Sequence, residues 1–144
     1  MKRLLVTAGL LIGLCGPWTS AAAVDAITTA DAIAIHETVR NQMEALSKDD
    51  ASGAFELATQ EKRQMIGNAD VFLRMMKEEY NPIYRSQVVI FSSPEVVDGD
   101  PVQVVRVTDG YGKVWLAVFW MQQEEDGSWK IDGCHLLGTR TVSI

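Results

Sequence analysis

The stretch Lys113–Gly138, KVWLAVFWMQQEEDGSWKIDGCHLLG, decides the fold. Two runs rich in aromatic and β-branched residues, Val114–Gln123 and Trp129–Leu137, flank the polar segment "EEDGS". Such residues suit a pleated, packed surface, and Asp-Gly between them is a strong hairpin signal. The first run is apolar at nearly every position, so both of its faces need cover. If Asp126-Gly127 is a two-residue turn, Trp120 faces Gly133, Phe119 faces Cys134, Val118 faces His135 and Met121 faces Asp132.

Working upstream, Ser86–Ser92 and Val102–Thr108 also alternate, with "DGD" and "DGYG" as the intervening turn chemistry. Four strands joined by short connections imply an antiparallel meander. With "DGYG" as a four-residue loop, Arg106 faces Trp115, Val105 faces Leu116 and Gln103 faces Val118. A shorter loop sets Arg106 against Lys113, which like charge disfavours. One face then carries Val105, Val107, Val114, Leu116, Val118, Trp120, Ile131 and Leu137, with Gln103 and His135 as its polar members, and its β-branched density assigns it to the core. The other carries Val102, Val104, Trp115, Ala117, Phe119, Met121, Cys134 and Leu136, with Arg106 and Asp132. Contiguous apolar surface of that kind marks an interface. Trp115, Phe119, Met121 and Arg106 are therefore expected in a sheet-to-sheet homodimer, with the Arg106 guanidinium stacked on Trp115.

The N-terminal half has helical spacing. Ile35, Val39, Met43 and Leu46 recur on one stripe over 29–48, with Thr28 and Asp31 as its start signal. "KDDAS" closes that helix, and Asp50 or Ser52 caps a short second one through Phe55 and Leu57. Asp70 opens a third, with Val71, Phe72 or Leu73, Met75, Met76 and Tyr80 on its buried side, ending before Pro82. Helices first and a meander second give an α+β plan: N-terminal helices packed on a curved four-stranded antiparallel sheet.

The first residues read as an address. Lys2 and Arg3, an apolar run over 4–16 and Ala21-Ala22-Ala23 match a secretory signal peptide over 1–23, leaving a single domain over 24–144 exported to the periplasm or beyond the cell. The apolar run is too short to span a bilayer, so no stable membrane insertion is expected after cleavage. Cys15 follows Leu14 rather than a small residue, which argues against lipidation. Cleavage leaves 11 basic against 19 acidic residues and a net charge of −8, so nucleic acid is not an expected partner. Only Cys134 then remains, which permits no internal disulfide.

"ADVFLRMMKEEYNPIYRSQVVIF" followed by "VQVVRVTDGYGKVWLAVFWMQQEEDGSWKIDGC" resembles the bacterial exported family known as domain of unknown function 4864. That family is similar in turn to the cystatin-like superfamily, which includes nuclear transport factor 2, ketosteroid isomerase and scytalone dehydratase. The resemblance implies a cone of helices on a curved sheet, often with a ligand cavity and often dimeric. It implies no catalytic residue.

The residues themselves nominate a site. His135 and Gln103 are expected to point together toward the helices near Trp120, Tyr80 and Tyr84 to stand at the cavity mouth, and His36 on the first helix to approach it. Cys134 and His135 are adjacent in a strand and point to opposite faces, so no metal site and no cofactor is expected. No hydrolase, zinc-protease or nucleotide-binding motif occurs. The leading expectation is a non-catalytic module binding a small apolar ligand or a partner and dimerising through its sheet. An acid–base enzyme using His135, with Tyr84 as orienting donor, and a structural subunit of an envelope assembly are the alternatives.

Overall fold

The computed structural model describes residues 26–139, so the expected signal segment lies outside the described residues. Among the described residues five helices precede five strands: α1 (Thr29–Ser47), α2 (Ala51–Phe55), α3 (Gln60–Ile66), α4 (Ala69–Glu79), α5 (Asn81–Tyr84), β1 (Val88–Phe91), β2 (Glu95–Val97), β3 (Asp100–Thr108), β4 (Val114–Gln123) and β5 (Trp129–Gly138). The chain is α+β, with an open antiparallel sheet in the order β1-β3-β4-β5 and β2 paired to the start of β3.

The strand count corrects the expected four to five. Asp98 and Gly99 have φ of 52° and 84°, the left-handed pair that a two-residue hairpin turn demands, and this turn folds Glu95–Val97 back onto β3. The helices begin where short side chains can replace missing backbone partners. Thr28 accepts from Asp31 N at 3.1 Å, Asp50 from Gly53 N at 3.0 Å, Thr59 from Lys62 N at 3.3 Å and Asn68 from Val71 N at 3.0 Å. Thr59 therefore opens a helix, α3, beyond the three expected. Pro82 does not simply end the helical half: it sits in the first turn of α5, where its missing N–H is harmless.

The β3–β4 register departs from expectation by one residue. Val105 pairs with Ala117, Arg106 with Leu116 and Gln103 with Phe119, because Asp109 and Lys113 face each other across three residues, Gly110–Gly112. Gly112 N donates to Asp109 O and Gly112 has φ +80°, as a type I turn with a left-handed third residue requires. Glu124 and Ser128 close the β4–β5 hairpin in the same way, with Gly127 at φ +87°. A bulge then inserts Asp132, so Met121 pairs with Ile131 instead of Asp132, while Trp120–Gly133, Phe119–Cys134 and Val118–His135 pair as expected.

A slip of one residue turns every side chain of a strand over. The face meeting the helices consequently carries Gln103, Val105 and Val107 with Trp115, Ala117, Phe119 and Met121, and the interface expected of Trp115, Phe119 and Met121 is corrected. Phe119 is fully buried with Ile35, Val39 and Leu46 of α1, Met121 is buried in the same core, and Trp115 packs half-buried at its edge. Val114, Leu116, Val118 and Trp120 lie half-buried on the open side, where Leu137, Val88 and Ile90 are each more than half exposed. Arg106 also lies on the open side, opposite Leu116, and does not stack on Trp115; Lys113 Nζ takes that place, 4.0 Å from the indole centroid.

Asp109 holds the decisive loop. Its Oδ1 accepts from Tyr111 N at 2.9 Å and Lys113 N at 3.0 Å, and its Oδ2 accepts from the Trp115 indole at 3.0 Å. The indole hydrogen bond first, and then the two backbone donors, hold its carboxyl below the usual range. A depressed native pKa means that the stabilisation is complete above the ordinary value of 3.8 and is lost as pH falls through the native value. Asp109→Asn is expected to lower the melting temperature at neutral pH, by a margin that narrows as the pH is taken below the ordinary carboxylate range. An unchanged margin across that range would show the charge to be irrelevant. Phe119→Ala, by contrast, removes a core ring and should cost about 3–5 kcal/mol in urea unfolding; a loss below about 1 kcal/mol, the size of a surface substitution, would return Phe119 to the open face.

Candidate functional site

Beside the bulge in β5 the chain leaves space. Ile131 N donates to Leu57 O at 2.8 Å and Thr59 N to Ile131 O at 3.0 Å, so the segment after α2 runs parallel to the β5 edge for a few residues and covers it. Thr59 Oγ1 donates to the bulged Asp132 at 3.0 Å while accepting from Lys62 N, so one buried hydroxyl ties the start of α3 to the strand. Beyond this tie, side chains of α3 and α4 stand opposite β5.

Between them lies a cavity of about 480 Å³. Phe72 and Met76, buried on α4, and Ile131 and Cys134 on β5 form walls; Ala58 and Gln42 are buried beside them; Met65, Met75, Ile66, Tyr80 and Lys62 also line it, with Trp120, Asp132, Gly133 and His135. Met65 is 72% exposed, which places it at the opening. A volume in the range of about 300–1,000 Å³ with a mainly apolar lining is typical of a small-molecule site. Three methionines add adaptability, because an unbranched thioether re-packs around irregular shapes at small cost.

Of the six nominated ligand residues, Tyr80, Trp120 and His135 line this cavity. The other three do not. Gln103 is fully buried on the inner face, with Nε2 donating to Ser92 O at 2.6 Å and Val104 O at 3.0 Å. His135 pairs with Val118 on the open face and is exposed, so the expected juxtaposition of His135 and Gln103 is corrected by the register. His36 meets Phe91 edge-on, with centroids 4.4 Å apart, in a shallow groove near Pro94.

Tyr84 borders a different cavity of about 390 Å³, between α1, α5 and β1. Its hydroxyl donates to Asp49, its ring lies 3.9 Å from the Arg85 guanidinium carbon and 5.5 Å from Lys77 Nζ, and Arg85 Nη1 donates to Leu46 O and Ser47 O at the end of α1. The Tyr84 hydroxyl and the two cations hold the Asp49 carboxyl below its usual range. Burial, reinforced by Asp49, pushes the Tyr84 hydroxyl up. This is a clasp that fastens α5 to the end of α1, in place of the cavity-mouth position expected of Tyr84.

Two titratable groups that border the cavity are held in their neutral forms. Burial pushes the Cys134 thiol up to about 12, so it is protonated at neutral pH and a poor nucleophile. Burial, followed by the nearby Cys134 and Glu79, also raises Tyr80, which stays a neutral phenol able to donate. Among the described residues no group of three or more His, Cys, Asp or Glu side chains could hold a metal ion, and no helix is long and apolar enough to cross a membrane. Sequence reasoning missed Gln42, Phe72, Met75 and Met76 as a joint lining. Three of them lay on expected helical stripes, or beside one, and only the position of β5 shows that those stripes stop short of the sheet.

The family model described as Domain of unknown function (DUF4864) matches residues 28–144. The chain belongs to the DUF4864 family. The matched span takes in every cavity residue named above, so the site lies wholly within the DUF4864 domain. No curated protein and no solved structure matches the chain.

The state of Cys134 is directly measurable. In the folded DUF4864 domain, alkylation of Cys134 at pH 8, followed on the peptide that contains it, is expected to be at least tenfold slower than in the urea-unfolded chain. Equal rates would mean that burial does not suppress the thiolate.

Proposed function

We propose that this chain is an exported, non-catalytic module that holds a small, mainly apolar molecule in the α3–α4–β5 cavity and pairs with a second copy through the open face of its sheet. The single observation carrying this reading is the cavity itself. Its volume suits a small molecule, its walls are phenylalanine, methionine and isoleucine, and its one thiol is held protonated. Export is supported by the basic, apolar and small-residue succession of the first 23 residues. A cystatin-like or nuclear transport factor 2-like cone is the finer fold reading, supported by helices followed in sequence by an antiparallel meander.

The occupant of the open sheet face is argued from area. β3, β4 and β5, each about 30 Å long, and the short β1 and β2 placed one after the other along β3, at a spacing of about 4.8 Å present on the order of 600 Å². Two copies face to face would remove about 1,200 Å² from water, at the lower limit of stable interfaces. Val88, Ile90, Leu116, Val118 and Leu137 supply the apolar centre in place of the residues first expected there. Arg106 remains on that face.

Native mass spectrometry of the protein purified from its own cell envelope reads both halves of the proposal. The expected result is a dimer carrying a non-covalent adduct of low mass, with Leu116→Asp monomeric and still loaded. A chain that is bare under gentle conditions, and stays bare on exposure to apolar small molecules, removes the binding role. A monomer at micromolar concentration removes the sheet pairing.

A further inference from the structure

One buried polar side chain lines the cavity, that of Gln42. Gln42 lies on the buried stripe of α1, only 2% exposed, and it lines the cavity along with Phe72 and Met76. Its Nε2 is committed, donating to Ala54 O at 3.2 Å and tying α1 to α2. That bond fixes the amide's orientation, since the same position offers Oε1 no donor. Among the described residues Oε1 accepts no hydrogen bond. The Gln42 side chain borders the cavity, so its uncommitted oxygen belongs to the one buried amide among the lining residues. A buried carbonyl oxygen in apolar surroundings must be given a donor or its desolvation is uncompensated.

We infer that the cavity selects a small apolar molecule bearing a hydrogen-bond donor, a hydroxyl or N–H group, with Gln42 Oε1 as the acceptor that reads it. This rests on the reading of the cavity as a ligand site and specifies the class of ligand. An apolar occupant without a donor displaces whatever water solvates Oε1 and leaves the oxygen stranded, whereas a phenol, alcohol or indole satisfies it. Sites built to hydrogen-bond a ligand reject the analogue that lacks the group far more strongly than greasy pockets discriminate by size. The apolar walls and Gln42 thus divide the work: area gives affinity, and the buried acceptor gives orientation and choice.

The test uses two probes of nearly equal shape, 1-naphthol and naphthalene, titrated into the protein with probe fluorescence as the readout. Hydrophobicity alone favours naphthalene. The inference expects 1-naphthol to bind about tenfold tighter to the wild-type protein, and the preference to vanish or reverse in Gln42→Leu. Should Gln42→Leu not fold, Gln42→Met supplies the same comparison, and the wild-type ratio stands without either. Equal binding or a naphthalene preference in the wild type overturns the inference and leaves the cavity as a non-selective apolar site. A 1-naphthol preference that survives in the variant overturns the assignment to Gln42. Binding of neither probe removes the ligand-site reading itself, and this inference with it.

Discussion

Three donors converge on the Asp109 carboxylate, and the arrangement of everything else in the sheet follows from them. The Tyr111 and Lys113 amides and the Trp115 indole hold the β3–β4 loop at three residues. With three residues rather than four, β4 turns Ala117 and Phe119 toward α1 and leaves Leu116 and Val118 outside. Because side chains alternate strictly along a strand, there is no intermediate arrangement; the loop selects one face of β4 or the other. The indole that helps to close the loop belongs to the face the loop selects, so the turn and the core support each other.

The second hairpin obeys the same rule, and its bulge is what makes room for a site. A regular β5 would have continued the Gln123–Trp129 register without interruption. The extra residue, Asp132, re-phases the strand so that Cys134 and Leu136 face the helical layer, and its carboxylate is fastened to Thr59. The bulge and the short parallel contact with Leu57–Thr59 occupy the strand edge at one end and leave Gly133 and Cys134 open at the other. Bulges commonly stand next to functional sites for this reason: they end regular pairing and re-aim the residues that follow.

Much of this was legible. The α1 stripe Ile35–Val39–Met43–Leu46 is buried as its spacing requires, the Thr28 and Asp50 caps are where side-chain chemistry puts them, and the Phe119–Cys134 pairing holds. The pairing across β4 and β5 was reached by two offsetting departures: the hairpin loop has three residues rather than two, and the bulge restores the phase. The β3–β4 register was not offset, and the faces of β4 were assigned in reverse. The informative residues were Gly112 and Gly127, each the third residue of its loop, because a left-handed third position is what distinguishes a three-residue hairpin from its neighbours in length. β4 itself could not arbitrate. It is apolar on both faces, so hydrophobic alternation, the usual arbiter of register, is silent there. For the candidate site, Tyr80 was found because it stands where the helices meet the sheet, whereas Trp120 lines the cavity although it lies on the other side of β4 from the one expected. Gln42 was missed because a glutamine on a helical stripe reads as surface until α2 is seen to fold over it.

Two cavities flank the helical layer, and their walls separate their roles. The one at α1, α5 and β1 is bounded by Tyr84 and Arg85, which belong to a network with Asp49 and Lys77 and with the last carbonyls of α1. A ligand that displaced those side chains would break charge-assisted hydrogen bonds and uncap a helix, so that cavity is stiff where it is polar. The one at α3, α4 and β5 has no ion pair among its described lining residues, and its movable parts are methionines and the short helix α3, whose residues are all at least partly exposed. Its apolar walls are held by weak, non-directional contacts alone. A helical layer that is loosely packed at one end has to be clamped at the other. The Asp49–Tyr84–Arg85 clasp and the methionine-lined cavity divide the helical layer in that way.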